Sequence, residues 1–172
     1  MSSQITALLS LMMLISLVGC ENQSASDRGN SDSEYAQAEI VRVVDGDTVI
    51  VRLDGREERL RYIGIDAPES VAPDQPAQCF GSEATDENNH LVAGKTVFLE
   101  SDLEDRDRFG RLLRYVYVTG ADGNLLMVNR HLVEQGFAEA GSFPPNVRFQ
   151  DDLFTAERHA RENRLGLWSA CP

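Results

Sequence analysis

The sequence predicts a small closed β-barrel of five strands with about three helices packed against it, in the α+β or mainly β class. Three observations support this prediction. Three β-prone stretches follow one another across short turns between residues 40 and 65. Two more stretches lie at residues 96–99 and 112–118, and helical spacing of apolar residues follows the third and the fifth stretch. This pattern is typical of an OB-type barrel.

The first three strands are predicted to form an antiparallel meander. Residues 40–44 and 48–53 are rich in valine and isoleucine, and Asp45-Gly46-Asp47 separates them. Asp54-Gly55 then separates the second strand from a third at residues 57–65. Because Asp-Gly favours tight hairpin turns, consecutive stretches of this kind are expected to pair with each other.

The third strand ends in a charged segment. The run that begins at Arg61 finishes in Asp66-Ala67-Pro68-Glu69, and a strand cannot continue through proline, which lacks the donor for the ladder. Arg61 and Asp66 are separated by an odd number of positions, so the regular alternation of side chains along a strand would place them on opposite faces. Gly64 is therefore predicted to form a bend or bulge that brings both side chains to one site.

The remaining elements are read from the same signals. They are a loop at 70–78, a helix at 80–92, strands at 96–99 and 112–118 flanking a charged loop at 102–110, a turn at 120–123, and helices at about 127–135 and 149–163.

The charge balance limits the function classes. The 172 residues include 28 acidic and 16 basic side chains, for a net charge of −12. This length predicts one folded domain with a real core. The acidic balance argues against a protein that coats nucleic acid through a basic stripe. It is compatible with an enzyme acting on nucleic acid, since a divalent cation and a few arginines can offset phosphate charge locally.

The N-terminus predicts export. Residues 1–20 contain no Asp, Glu, Lys or Arg, and the apolar run at 8–18 is too short for a transmembrane helix. The run ends in Leu17-Val18-Gly19-Cys20, which resembles the lipobox of bacterial lipoproteins and predicts lipidation of Cys20. The alternatives are an ordinary signal peptide cut nearby, which would give a secreted protein, or an N-terminal core segment. Lipidation would make the chain an extracytoplasmic, membrane-anchored lipoprotein.

The segment after Cys20 predicts a linker. Residues 21–37 are rich in Ser, Asn, Asp, Gln and Gly and nearly free of apolar side chains, so they are predicted to form a flexible tether ahead of a domain at 38–172. Within that domain, Cys79 and Cys171 are the two remaining cysteines. In an exported chain they predict one disulfide, and two unpaired thiols are the alternative.

Three charged clusters suggest phosphodiester chemistry. Asp47, Asp66 and Glu69 would supply oxygen donors alone, which suits Ca²⁺ or Mg²⁺ and not zinc. Arg61 and Arg111 would stand beside them. A guanidinium binds two phosphate oxygens at once, and a cation neutralises further charge in the transition state. A nearby carboxylate can deprotonate the attacking water.

These clusters carry a family resemblance. Asp-Gly-Asp-Thr at 45–48, Arg-x₄-Asp-x-Pro-Glu at 61–69 and Asp-x-x-Gly-Arg at 107–111 occur in this order. Val128-Asn129 and Gln135-Gly136 follow, and Gly166-Leu167-Trp168-Ser169 ends the domain. Over about residues 38–169 the sequence resembles the staphylococcal nuclease (thermonuclease) family. The resemblance implies a five-stranded OB barrel with three helices and a calcium-dependent nuclease that leaves 3′-phosphate products from DNA or RNA.

The resemblance also implies residue roles. The carboxylates of Asp47 and Asp66 and the backbone carbonyl of Ala67, where the family usually has threonine, would bind Ca²⁺. The remaining roles are phosphate binding and transition-state stabilisation by Arg61 and Arg111, general-base action on water by Glu69, and support of the two loops by Asp45 and Asp107. A monomer is expected.

Two positions concern substrate binding. Arg108 and Phe109 precede Gly-Arg, and the best-known family member has lysine and tyrosine at these two positions. Arg108 is expected to contact substrate. Phe143 is the one aromatic of segment 140–145, and it either stacks on a base or packs against its own loop. Two further hypotheses remain open for the whole chain. One is a catalytically inert OB module that binds nucleic acid or protein, and the other is a lipoprotein scaffold.

Overall fold

The computed structural model describes residues 35–70 and 76–172, which fall within one compact unit at 32–172. The predicted signal peptide at 1–20, its Cys20 and most of the tether at 21–37 therefore lie outside the described residues. No helix in the described part of the chain is long and apolar enough to cross a membrane.

The described residues form eight strands and four helices. In chain order they are β1 (Ala36–Val43), β2 (Thr48–Leu53), β3 (Arg56–Tyr62), β4 (Ile65–Asp66), α1 (Gly81–Val92), β5 (Thr96–Glu100), β6 (Leu112–Thr119), β7 (Leu125–Met127), α2 (Val128–Glu134), β8 (Glu139–Ala140), α3 (Gln150–Glu162) and α4 (Leu167–Ala170).

Five of these strands close into the predicted barrel. Their order is β3-β2-β1-β5-β6, and β3 pairs with β6 to complete the circle. All neighbouring pairs are antiparallel except β3 and β6, which run parallel from Leu60 opposite Leu112 to Tyr62 opposite Arg114. The fold is a closed, mixed five-stranded barrel with three principal helices, which confirms the predicted OB-type class.

The barrel closes around β-branched and aliphatic side chains. Val49 and Val51 on β2, Leu60 on β3, Val97 on β5 and Val116 on β6 are fully buried. Alternation along each strand directs these side chains inward while their neighbours face solvent or the helices. Burying one such side chain contributes on the order of 1.5–3 kcal/mol, so the interior supplies much of the stability that holds the strands in register.

The third strand ends earlier than predicted. The sequence suggests a continuous strand to residue 65, which is wrong because β3 stops at Tyr62 and β4 is a separate strand. Gly64 lies between them with a φ of 78°, and a Cβ there would lie 2.4 Å from Leu153 Cδ1 of α3. β4 then pairs with β8, so that Asp66 lies opposite Glu139. The predicted bend at Gly64 is confirmed, and it transfers the chain from the barrel to the helical layer.

Besides β8, which pairs with β4, two short elements were not predicted. Strand β7 pairs with β6 at the point where a turn was expected to lead straight into a helix. Helix α4 is four residues long and follows the last predicted helix. Both are short, so local sequence signals for them are weak.

A disulfide joins the tail to the start of α1. Cys79 and Cys171 are bonded with their Cα atoms 5.9 Å apart, which confirms the predicted bridge and excludes two free thiols. The partners are separated by 92 positions in sequence. In the loop-closure model a bridge over such a span stabilises the fold by about 4–5 kcal/mol.

Candidate active site

Strand register brings the predicted site residues together. Thr48, which follows Asp47, lies opposite Arg61 in the β2–β3 pair. Arg61 also lies opposite Leu113 in the β3–β6 pair, just after Arg111. The turn before β2, the end of β3 and the loop before β6 therefore meet at one end of the barrel.

Asp47 is a buried carboxylate. Only 1% of its surface is exposed. Its Oδ2 accepts a hydrogen bond from the backbone N–H of Ala67 at 2.7 Å, and its Oδ1 accepts one from the Thr48 hydroxyl at 3.0 Å and another from Arg61. Burial raises the pKa of Asp47 to about 7, against the opposing effect of the Arg61 charge. A cation beside this carboxylate would favour its ionised form.

Arg61 links the two predicted metal-binding carboxylates. Its Nη1 donates to Asp47, and its Nη2 donates to Asp66 Oδ1 at 2.5 Å and to the carbonyl of Ile65 at 3.2 Å. Only 15% of the Arg61 side chain is exposed, whereas 70% of the Asp66 side chain is exposed. Burial lowers the pKa of Arg61, but attraction to Asp47 and Asp66 outweighs this effect and raises it, so the guanidinium stays charged.

Asp45 shapes the turn that presents Asp47. Its Oδ1 accepts a hydrogen bond from the Asp47 N–H at 3.0 Å. Gly46 lies against the β4 segment so closely that a Cβ would be 2.6 Å from Ala67 Cβ. A larger residue at position 46 would push this turn away from Ala67, so the glycine permits Asp47 and Ala67 to meet.

Asn88 is a supporting residue that sequence reasoning did not single out. This fully buried side chain on α1 donates to the Asp45 carbonyl at 2.9 Å and accepts from the Tyr62 hydroxyl at 2.9 Å. It thereby connects α1 to the turn that carries Asp47. The available signal was a polar residue on the apolar side of a predicted helix, which requires a buried hydrogen-bond partner.

Asp107 orders the loop that carries Arg111. Its Oδ1 accepts from the N–H groups of Phe109 and Arg111, each at 2.9 Å, and its Oδ2 accepts from Arg111 Nε at 2.6 Å. Burial raises the pKa of Asp107, but these hydrogen bonds more than compensate and lower it. No described residue accepts a hydrogen bond from the terminal nitrogens of Arg111. Those nitrogens remain available for a phosphate.

Arg61 and Arg111 line the same cleft. Its volume is about 230 Å³, and its wall includes Gly64, Phe143 and Pro144. About half of the Phe143 side chain is exposed, and its ring also packs over Gly141, where a Cβ would lie 2.3 Å away. The ring thus packs on its own loop and still presents a face to the cleft.

Arg108 and Glu69 neither line the cleft nor bond to Arg61. Arg108 packs its guanidinium 4.7 Å from the centre of the Phe109 ring, which is 69% exposed. Glu69 is exposed, and its carboxylate forms no hydrogen bond or ion pair with any described residue. Glu69 follows Asp66 by three positions and so lies near the acidic pair in the chain, with a carboxylate free to bind water.

Asn146 is a second supporting residue that the sequence did not reveal. It is buried in the cleft wall, where its amide donates to the Glu104 carbonyl at 2.9 Å and accepts from the Glu104 N–H at 2.7 Å. These bonds join the Phe143 segment to the loop that precedes Asp107. Its position three residues after Phe143 in an irregular segment carried no signal.

The donor chemistry fits a hard cation. Asp47 and Asp66 are bonded to a single guanidinium, and Ala67 lies directly beside Asp47. Ca²⁺ takes carboxylates, backbone carbonyls and waters in one shell, so two carboxylates and the Ala67 carbonyl suit it. Among the described residues no group of three or more His, Cys, Asp or Glu side chains is placed to hold a metal ion. Glu69 is therefore not gathered with the other two acids into a three-carboxylate site.

Comparison with known proteins gives a consistent assignment. The family model described as Staphylococcal nuclease homologue matches residues 59–170. The thermonuclease of Staphylococcus hyicus is 37% identical over 141 residues, covering 82% of this chain and 80% of that protein. The thermonuclease of Staphylococcus intermedius is 36% identical over 129 residues, covering 75% and 74%. Endonuclease YncB of Bacillus subtilis (strain 168) is 32% identical over 151 residues, covering 87% and 69%.

Proposed function

This chain belongs to the staphylococcal nuclease family, and on that premise we propose that it is a calcium-dependent endonuclease that hydrolyses DNA or RNA to 3′-phosphate products. The single observation that carries the proposal is the cleft in which Arg61 and Arg111 meet beside the Asp47–Asp66 pair. Nuclease function is also what the names of the curated relatives have in common.

The two arginines supply phosphate recognition. Each guanidinium can donate to two oxygens of the scissile phosphate, and this attraction grows as negative charge builds up at phosphorus. The ion pair with Asp107 holds Arg111 so that its terminal nitrogens stay free, while the Asp47 and Asp66 carboxylates hold Arg61. Arg111 is therefore oriented before substrate arrives, which reduces the reorganisation needed in the transition state.

Asp47, Asp66 and the Ala67 carbonyl would hold the metal. When bound, Ca²⁺ supplies positive charge that neutralises a phosphate oxygen and orients the phosphate. Glu69 accepts the proton of the attacking water, whose oxygen forms the new bond to phosphorus. The bond from phosphorus to the 5′ oxygen breaks, and that oxygen takes a proton from solvent, to which Glu69 later releases the proton that it accepted. The products are a 3′-phosphate and a 5′-hydroxyl.

Calcium removal provides the first test. The full chain is incubated with single-stranded DNA or RNA in added Ca²⁺ or in excess calcium chelator, and the product ends are analysed. We expect cleavage with Ca²⁺, loss of cleavage with chelator because the phosphate charge is then uncompensated, and 3′-phosphate ends. A folded chain that binds Ca²⁺ and nucleic acid but cleaves neither substrate would favour the inert binding module.

We further propose that the domain works outside the cytoplasm on a lipid anchor at Cys20. The support is the Leu17-Val18-Gly19-Cys20 sequence at the end of an apolar run, followed by a polar segment. In a bacterium fed labelled fatty acid, the wild-type chain is expected to carry label and to sediment with membranes. Cys20→Ser should lose both properties, since the acylated thiol is absent. A wild-type chain that is unlabelled and soluble outside the cytoplasm would instead indicate ordinary signal cleavage.

A further inference from the structure

The segment that leads into α1 forms hydrogen bonds with the backbone of Glu69. The Glu69 N–H donates to Gln78 Oε1 at 2.9 Å, and the Gln78 N–H donates to the Glu69 carbonyl at 2.9 Å. Gly81, the first residue of α1, packs on the same carbonyl so closely that a Cβ would lie 2.5 Å from it. Both polar backbone groups of Glu69 are therefore held by the segment that begins α1.

The side chain of Glu69 has no comparable restraint. Its carboxylate is exposed and contacts no described polar partner, so its position follows from the position of its own backbone. A general base must lie within hydrogen-bond reach of the water that it deprotonates. Displacement of a reacting group by about 1 Å can cost on the order of 10²-fold in rate. The contacts that hold the Glu69 backbone therefore affect the rate of the reaction.

Gln78 is itself held by its neighbours. Cys79 is bonded to Cys171, and Phe80 stacks on Phe137 with ring centres 5.5 Å apart. Phe80 has a φ of 69°, so the chain turns sharply at this point into α1. The disulfide therefore fixes the residue that directly follows Gln78.

The other end of the disulfide is anchored in the domain. The Leu167 N–H donates to the Gly136 carbonyl at 2.9 Å. A Cβ on Gly136 would lie 2.3 Å from the Leu165 carbonyl, so the two backbones are in direct contact. The Cys171 N–H donates in turn to the Leu167 carbonyl at 3.0 Å. A continuous set of contacts leads from Gly136 through the tail and the disulfide to Gln78.

We infer that Gln78 is a positioning residue for Glu69 and that the Cys79–Cys171 disulfide holds Gln78 in place. The inference rests on the proposed nuclease function, because it concerns the base of that reaction. The C-terminal tail, which contains none of the predicted catalytic residues, thereby contributes to turnover. Loss of either restraint lowers kcat and leaves KM nearly unchanged, since Arg61 and Arg111 bind the phosphate independently of the Glu69 backbone.

The test compares two replacements of Gln78 in the full chain. Gln78→Met keeps the length of the side chain but removes the acceptor, and kcat should fall by about 10- to 100-fold at constant KM. Gln78→Glu keeps an acceptor oxygen and should retain most of the wild-type kcat. Gln37→Met on the exposed face of β1 controls for the chemical change and should match the wild type. In a Glu69→Gln background, Gln78→Met should cause no further loss.

The disulfide is tested with Cys79→Ser/Cys171→Ser, assayed well below its melting temperature and after circular dichroism confirms the fold. We expect kcat to fall in the serine pair. When Gln78→Met is added to the serine pair, the total fold-loss in kcat should be smaller than the product of the two separate fold-losses. A wild-type kcat in Gln78→Met would overturn the role of Gln78, and a wild-type kcat in the serine pair would overturn that of the disulfide. A wild-type chain that cleaves no nucleic acid would overturn the proposed function itself, and this inference with it.

Discussion

Glu69→Gln is expected to lower kcat by about 10²- to 10⁴-fold, the usual range for loss of a general base. The amide occupies the same volume but cannot accept the proton of the attacking water. Glu69 is exposed and its carboxylate has no described polar partner, so the substitution removes no polar interaction among the described residues. Its backbone bonds to Gln78 do not involve the carboxylate and should persist. The measurement is single-turnover cleavage of a short DNA with Ca²⁺ in excess.

Glu83→Gln provides a matched control for Glu69→Gln. Glu83 lies on the exposed side of the first turn of α1, and the described structure gives its carboxylate no partner. This variant should cleave at the wild-type rate and melt at nearly the wild-type temperature. If Glu69→Gln retained full activity while Glu83→Gln behaved as expected, the role of Glu69 as general base would be refuted, and the base would have to be sought elsewhere at the site.

Arg61→Lys is expected to lower kcat/KM by about 10²- to 10³-fold, the range found when one donor to a developing oxyanion is removed. Lysine keeps the positive charge beside Asp47 but loses the planar arrangement of donors that reaches two acceptors at once. In this structure those donors reach Asp47, Asp66 and the Ile65 carbonyl. Phosphate recognition should suffer most, and because a cation remains beside Asp47 the domain should still fold.

Lysine is preferred to an uncharged residue at this position for a physical reason. Asp47 is almost fully buried, and leaving a buried ion without its partner typically costs about 3–5 kcal/mol. Such a variant would lose activity partly through unfolding, so its activity would not report on catalysis alone. Arg52→Lys is the control, since Arg52 forms ion pairs with Glu39 and Glu57 on the exposed surface of β1–β3. Equal activities for the two lysine variants would argue against a role for Arg61 in phosphate binding.

The two variants together separate binding from chemistry. Glu69→Gln should act on kcat, since Glu69 lies outside the wall of the cleft, whereas Arg61→Lys should also weaken substrate binding, since Arg61 lines it. Measuring substrate binding and single-turnover rates in parallel therefore distinguishes the role assigned to each residue. A pattern in which both variants changed only substrate affinity would refute the role of Glu69 in the chemical step.

Local sequence patterns determined most of the secondary structure and the identity of the candidate site residues. Asp-Gly turns and β-branched stretches located the strands, and helical spacing located α1, α2 and α3, because these signals depend on residues close together in the chain. The charged motifs around Asp47, Arg61 and Arg111 identified the candidate site for a related reason. Phosphate chemistry requires particular side chains, and short motifs record their identity and order. The cysteine count likewise predicted the Cys79–Cys171 bridge.

Only the tertiary structure decided which side chains meet. The parallel pairing of β3 with β6 places Arg111 beside Arg61, and the bend at Gly64 lets Arg61 bind both Asp47 and Asp66. The supporting roles of Asn88, Asn146 and Gln78 came from contacts between segments distant in sequence or on the two sides of a loop. A sequence records which donors and acceptors are present, but a hydrogen bond depends on distance and direction. Those quantities exist only once the barrel has closed and α1 has packed against the turn that carries Asp47.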